Sequence, residues 1–129
     1  KEHWTAGPVS YMGVTMAGFP NLFVGGGWVF SNFPRCAEVT GEFVSGCIGY
    51  ARENGFRRIE TTPSAEAGWG EHTRELTAKM LRSDVRSWFF GNNIPGKTDV
   101  FLFYAGGVTR YRKKCEEVAA GNYDGITFT

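Results

Sequence analysis

The sequence predicts an α/β chain. Two observations carry that expectation: short apolar runs bounded by turn formers, and longer segments whose apolar residues recur at helical spacing. A third, the length of 129 residues, fits one small domain. Glycine, at 18 residues, stands near twice its usual share of ~7%, and aromatics reach 16%. The aromatics exclude a disordered chain, and five prolines without a glycine period exclude collagen. The uncharged stretch from Gly7 to Pro34 is broken by Pro8, Gly13, Gly18, Pro20 and Gly25–Gly27. It is therefore not one membrane-spanning helix, which needs roughly 20 mostly apolar residues in regular helix.

Residues 1–18 read as an irregular approach, punctuated by Pro8, Gly13 and Gly18. Phe19 to Val24 is a continuous apolar run closed by Gly25-Gly26-Gly27, the pattern of a strand buried on both faces, with Pro20 tolerated only at its start. A long helix is expected over 35–54, with Val39, Phe43, Cys47 and Tyr50 on one face and Asn54-Gly55 as its stop. Gly41, Gly46 and Gly49 weaken that helix by about 1 kcal/mol each but admit close packing against a sheet. Arg57 to Glu60 is a short extended piece.

A second helix is expected over 63–81, with Thr62 as N-cap and Pro63 at its first position. Trp69, Leu76 and Met80 form its apolar stripe, with His72 and Thr73 beside it. Ser87 to Phe90 leads into a loop over 91–97, and a strand is expected near Val100 to Tyr104. Gly106-Gly107 turns into a third helix over 108–120, whose inward face is Tyr111, Cys115, Val118 and Ala119. Gly121-Asn122 ends it, and Tyr123 to Phe128 is a last strand or a tail.

A formal charge of +1 argues against bulk binding of nucleic acid or anionic membrane. The basic run Arg110, Arg112, Lys113 and Lys114 reads as a solvated helix face. Three cysteines, Cys36, Cys47 and Cys115, without a CxxC, and two distant histidines, His3 and His72, suit neither a disulfide scaffold nor a zinc site. A reducing, cytoplasmic setting is the default.

GxSxG, HExxH and the EF-hand loop are all absent, and no intact GxGxxG occurs. Two segments remain. Phe19–Val24, Gly25–Gly27 and the following helix can bring backbone close to a flat ring or a phosphate, although a plain strand-to-helix turn has the same pattern. The second is SWFFGNNIPGK, Ser87 to Lys97, where Trp88 offers an indole donor that suits a ribose hydroxyl. An aromatic anchor pinning a loop to the core fits the second segment equally.

In order, Gly18-Phe19-Pro20-Asn21-Leu22-Phe23, Phe30-Ser31-Asn32 with Pro34, Ser87 to Gly91, Asn93 to Lys97, Phe103-Tyr104, Gly106-Gly107 and Tyr111-Arg112 span most of the chain. This ordered set resembles the late part of the type I Baeyer–Villiger monooxygenases, class B flavoproteins with two dinucleotide-binding domains. The resemblance implies a C-terminal fragment of such a flavoprotein: an α/β piece with a strand–glycine loop–helix unit. Residues 1–55 would hold the last strand and helix of the FAD-binding domain. Residues 56–86 would be a helical stretch tied to the NADP domain, and 87–129 a C-terminal NADP and substrate-pocket segment.

The resemblance further implies FAD and NADP as the cofactors of the full-length enzyme, and a ketone and molecular oxygen as its substrates. Trp88 would reach the nicotinamide cofactor's ribose, and Gly25, Gly26 and Gly27 would pass the flavin. Phe30, Ser31, Phe33, Phe103 and Ala105 would line the ketone pocket. The family usually carries two or more further residues between Phe23 and Phe30. Its catalytic arginine and both GxGxxG fingerprints would lie upstream, so no catalytic residue and no metal ligand is assigned here. The chain alone is expected to be inactive, to need the missing N-terminal part of the same enzyme, and to bind neither nucleic acid nor membrane. Alternatives are a flavin monooxygenase of N- or S-oxygenating type and a non-catalytic binding fragment.

Overall fold

Among the described residues of the computed structural model, three α-helices and a two-stranded sheet enclose a turn of the N-terminal segment. The structure describes residues 2–5, 7–25, 32–79, 88–92, 94–96 and 99–129, with Trp88 described for its backbone alone. The elements are a 3-10 turn Glu2–Trp4, α1 Phe33–Glu53, β1 Ile59–Thr61, α2 Pro63–Ala78, a 3-10 turn Trp88–Phe90, α3 Gly107–Ala120 and β2 Ile126–Phe128.

Helix α1 starts two residues earlier than the pattern suggests. The Asn32 side chain accepts from the Arg35 N–H, and Pro34 sits in the first turn, where its missing N–H leaves nothing unpaired. Cys36, Val39, Thr40, Phe43, Cys47 and Ala51 are buried on one face, with Tyr50 half-buried at its margin. At the other end, Gly55 N–H bonds Arg52 C=O and Phe56 N–H bonds Ala51 C=O. That is a Schellman motif, with Gly55 at φ 75°. Helix α3 ends the same way, with Asn122 in the left-handed position and Tyr123 N–H bonded to Val118 C=O. In α2, the Thr62 hydroxyl accepts from Ala65 N–H and Pro63 follows, as expected. The helix stops at Ala78; Met80 lies outside the described residues.

Helix α1 packs along α3, and both close on residues 11–17. That segment, expected as mere approach, is core: Met12 and Val14 are each 1% exposed, and Tyr11, Met16 and Ala17 are buried. Many of its polar groups are paired within the fold. Tyr11 N–H bonds Thr15 C=O, Val14 and Thr15 N–H bond Tyr11 C=O, and the Tyr111 hydroxyl donates to Met12 C=O at 2.7 Å. The Tyr11 hydroxyl reaches Asp124 C=O, also at 2.7 Å, and the Thr61 hydroxyl donates to that of Thr15.

The strand expected over Phe19–Val24 does not form. Pro20 and Asn21 make a turn, Asn21 takes φ 58°, and Phe19 and Leu22 are 45% and 43% exposed. No second strand of the described residues is offered to that segment. Asn21 instead finishes the free edge of β1: its N–H bonds Ile59 C=O, its side-chain oxygen accepts from Ile59 N–H, and its amide donates to Arg57 C=O. On the opposite edge β1 pairs antiparallel with β2, Ile59 against Phe128 and Thr61 against Ile126. The expected extended piece at 57–60 and the last strand are thus both present.

The strand expected near Val100–Tyr104 is likewise absent. Val100 and Leu102 N–H bond the Phe90 and Phe89 carbonyls, so this stretch rests on a 3-10 turn instead of a ladder. The close packing expected at Gly41 and Gly49 also fails, since a Cβ at either would meet nothing within 4 Å. At Gly46 the expected close approach is present, to the Tyr123 hydroxyl, and Gly106 and Gly125 are also tight. A Cβ at Gly106 would strike the Tyr104 ring, and one at Gly125 (φ 85°) would lie 2.7 Å from Ala65 Cβ.

Two substitutions test these arrangements. Tyr111→Phe leaves Met12 C=O buried without its donor and should cost about 1–3 kcal/mol, read as a lowered urea midpoint with unchanged slope. Asn21→Gly keeps the left-handed backbone accessible but strips the edge cap of β1. A loss of about 1–2 kcal/mol is expected, and unchanged hydrogen exchange at Ile59 N–H would contradict the capping role.

Candidate functional site

The expected site residues fall into two groups. The first flanks the start of α1. Gly25 is exposed at the end of the Leu22–Gly25 stretch, and a Cβ there would meet nothing within 4 Å. Phe33, the first residue of α1, is 61% exposed, far too open for a core side chain. Gly26, Gly27, Phe30 and Ser31 lie outside the described residues.

The second group is C-terminal. Trp88 opens the 3-10 turn Trp88–Phe90. The backbone bonds from Val100 and Leu102 hold that turn against 100–103, and the Phe103 ring meets Phe89 edge-on at 5.2 Å. Phe90 and Phe101 pair at 5.1 Å. Ala105 is half-buried just before the Gly106-Gly107 entry to α3. The structure therefore places Phe103 against the turn that Trp88 opens. Lys97, in the same motif, lies outside the described residues.

Sequence reasoning missed a second aromatic stack. Trp69 of α2 lies parallel to Tyr104 at 5.2 Å and 13°, and Tyr111 contacts both rings. His72, one turn along α2, shares a 3.3 Å hydrogen bond with the Tyr104 hydroxyl. Helical spacing marked Trp69 and His72 as neighbours, but nothing local pointed to Tyr104, 32 positions on. Glu66 was also missed. This buried carboxylate accepts from Ala17 N–H at 3.1 Å and meets His3 Nε2 at 3.1–3.2 Å, tying the N-terminal turn to α2.

The thiols carry no nucleophilic chemistry. Burial pushes Cys47 up to about 11 and, as the largest cause, Cys115 to about 11; it raises Cys36 as well. None of the three forms a disulfide, and all stay protonated near neutrality. Among the described residues no three His, Cys, Asp or Glu side chains gather as a metal site. The basic run is a surface feature, as expected: Arg112 pairs with Glu42 of α1 at 2.7 Å and Lys114 with Glu117 at 2.8 Å.

Burial, followed by the Lys114 and Arg110 cations and aided by Lys79, holds the His72 imidazole below its ordinary 6.5; Glu75 opposes them. The unfolded chain then takes up the proton first. The contribution of neutral His72 to stability is full above pH 6.5 and is lost as pH falls through its depressed folded value. An NMR titration should place the His72 midpoint below 6.5, and His72→Gln should flatten that part of the pH–stability curve.

No family model matches the chain. Individual relatives do. Phenazine N-monooxygenase PhzNO1 of Lysobacter antibioticus is 42% identical over 98% of this chain, which spans 24% of that protein. Cyclohexanone 1,2-monooxygenase of an Acinetobacter species is 38% identical with the same two coverages. The solved structure of a cyclohexanone monooxygenase from Rhodococcus sp. Phi1 bound to NADP+ superposes on 99% of this chain with a TM-score of 0.92 at 39% identity, and again the chain spans 24% of it. By sequence and by fold, the chain is a homologue, over its whole length, of about a quarter of the Baeyer–Villiger and cyclohexanone monooxygenases.

Proposed function

We propose that the chain works as the C-terminal part of an FAD- and NADPH-dependent monooxygenase that inserts oxygen beside a ketone carbonyl, and that it is inactive alone. The observation that carries this reading is the match along 98% of the chain to proteins of which it spans only 24%. Residues 1–55 would complete the FAD-binding domain, 56–86 would join the NADP domain, and 87–129 would close the NADP and substrate pocket. When bound, the flavin and the nicotinamide supply the oxygen activation and the hydride. What this chain contributes is walls and one cofactor contact.

Phe33 fits a pocket wall because it heads α1 with no partner in the core and 61% of its surface free. Phe103 and Ala105 would form the facing wall, with Phe30 and Ser31 beside Phe33. Gly25, with Gly26 and Gly27, would let the backbone approach a flat ring, since open space surrounds its Cα. Trp88 would donate its indole N–H to a ribose hydroxyl from a turn fixed by the Phe89 and Phe90 carbonyl bonds. The partners would be a ketone, molecular oxygen and the preceding part of the same enzyme. We place the enzyme in the cytoplasm, where three thiols outside any disulfide persist. No helix among the described residues is long and apolar enough to cross a membrane.

A second reading, oxygenation at nitrogen, is favoured by one observation: the relative at 42% identity is a phenazine N-monooxygenase. Expression of the full reading frame that contains the chain tests both. The expected product is yellow and oxidises NADPH faster with cyclohexanone than with phenazine; the reverse order selects the second reading, and a colourless protein overturns both. In that full-length protein, Trp88→Ala should lower kcat/KM for NADPH about tenfold, with less effect on flavin content. The 129-residue chain alone should hold no flavin absorbance.

A further inference from the structure

A cleft of about 220 Å³ opens between the C-terminal end of α1 and the start of β1, lined by Asn21, Phe23, Ile48, Arg52, Phe56 and Arg57 among others. Its floor is apolar, and Phe23, Ile48 and Phe56 are half-buried. Two arginines are among its lining residues, and both are exposed. Neither guanidinium has a carboxylate or other acceptor among the described residues, whereas Arg58 and Arg112 are each paired with a glutamate. The backbone beside the cleft is unfinished too. Val24 N–H bonds Val14 C=O, but the Phe23 N–H has no backbone acceptor among the described residues.

An apolar floor with two unpaired cations and a free amide is a poor final surface for a protein. It suits a partner that brings an apolar side chain, a carboxylate and a carbonyl edge. Some three quarters of the relatives' length lies outside this chain. We infer that this cleft is the seat on which the preceding flavoprotein body docks, through an acidic, apolar segment whose carboxylates pair with Arg52 and Arg57. The inference rests on the reading above and adds to it which face is covered and by what chemistry. The alternative occupant is a second copy of this chain. The arginines would then face whatever acidic residues the copy presents, and docking would depend on concentration.

Arginine labelling with a dicarbonyl reagent, read by mass spectrometry, tests the seat. The 129-residue chain is compared with the full-length protein. Arg52 and Arg57 should react at least about tenfold more slowly in the full-length protein, while exposed Arg110 of α3 reacts equally in both. Amide exchange at Phe23 should slow in parallel. Equal labelling of Arg52 and Arg57 in the two proteins overturns the seat even when the full-length protein is yellow and active. Protection already present in the 129-residue chain, and lost on dilution, assigns the face to a second copy and overturns it as well. A full-length protein that protects both arginines but holds no flavin leaves the seat standing and removes the functional reading instead.

Discussion

The hydroxyl of Tyr111 and the carbonyl of Met12 hold this structure together. Met12 sits in a left-handed turn with its side chain 1% exposed, so its carbonyl is carried into the core with no ladder to receive it. A buried, unpaired carbonyl costs on the order of 1–3 kcal/mol. Tyr111, on the inward face of α3, supplies the donor across 99 positions of sequence. Tyr11, one residue before Met12, returns the favour by reaching the Asp124 carbonyl beyond the end of α3. Burial raises both phenols, Tyr11 to about 12, so each remains a donor across the physiological range. Helix α3 and the N-terminal turn are thereby latched at two points, and α1 closes over both.

The aromatic richness of the chain follows from this arrangement. Around the latch, Trp69, Tyr104 and Tyr111 stack, and Tyr11 meets Trp69 edge-on. At the far end of α1, Tyr50, Phe56, Tyr123 and Phe128 fasten the two-stranded sheet. A third cluster, Phe89, Phe90, Phe101 and Phe103, carries the Trp88 turn. With strands only three residues long, ring packing takes over the positioning that a larger sheet would otherwise perform. The three stretches assigned to different parts of a larger enzyme share one core here, since Met12, Ile59 and Tyr111 belong to the same cluster.

What was legible in the sequence was local. Caps and stops read correctly at Thr62-Pro63, Asn54-Gly55 and Gly121-Asn122, because a cap depends on a few consecutive residues. The faces of α1 and α3 were legible for the same reason. Residues 11–17 were not: Gly13 and Gly18 look like loop punctuation, and burial there depends on a tyrosine 99 residues away. Phe19–Val24 failed differently. An apolar run predicts a strand only if another strand is present, and here Asn21 occupies the edge of β1 instead. The candidate site was legible through an ordered set of short motifs and not through any chemical signature. No local pattern marks Phe33 or Phe103 as a wall, and none joins His72 to Tyr104.

The departures from expectation share a cause that bears on function. Phe19, Leu22 and Phe33 are large apolar side chains left exposed, and the Phe23 amide has no backbone acceptor among the described residues. All four lie within 15 positions that flank the glycine loop. No buried side-chain nitrogen or oxygen among the described residues lacks a partner. Trp4, Val9 and Ile94 are exposed elsewhere, but the rings and backbone flanking the glycine loop rest on a paired interior that can support them rigidly. The strand that the apolar run calls for would then need its neighbour from another part of the enzyme. Asn21, which binds β1 through its own backbone and side chain, holds the start of the run against that edge.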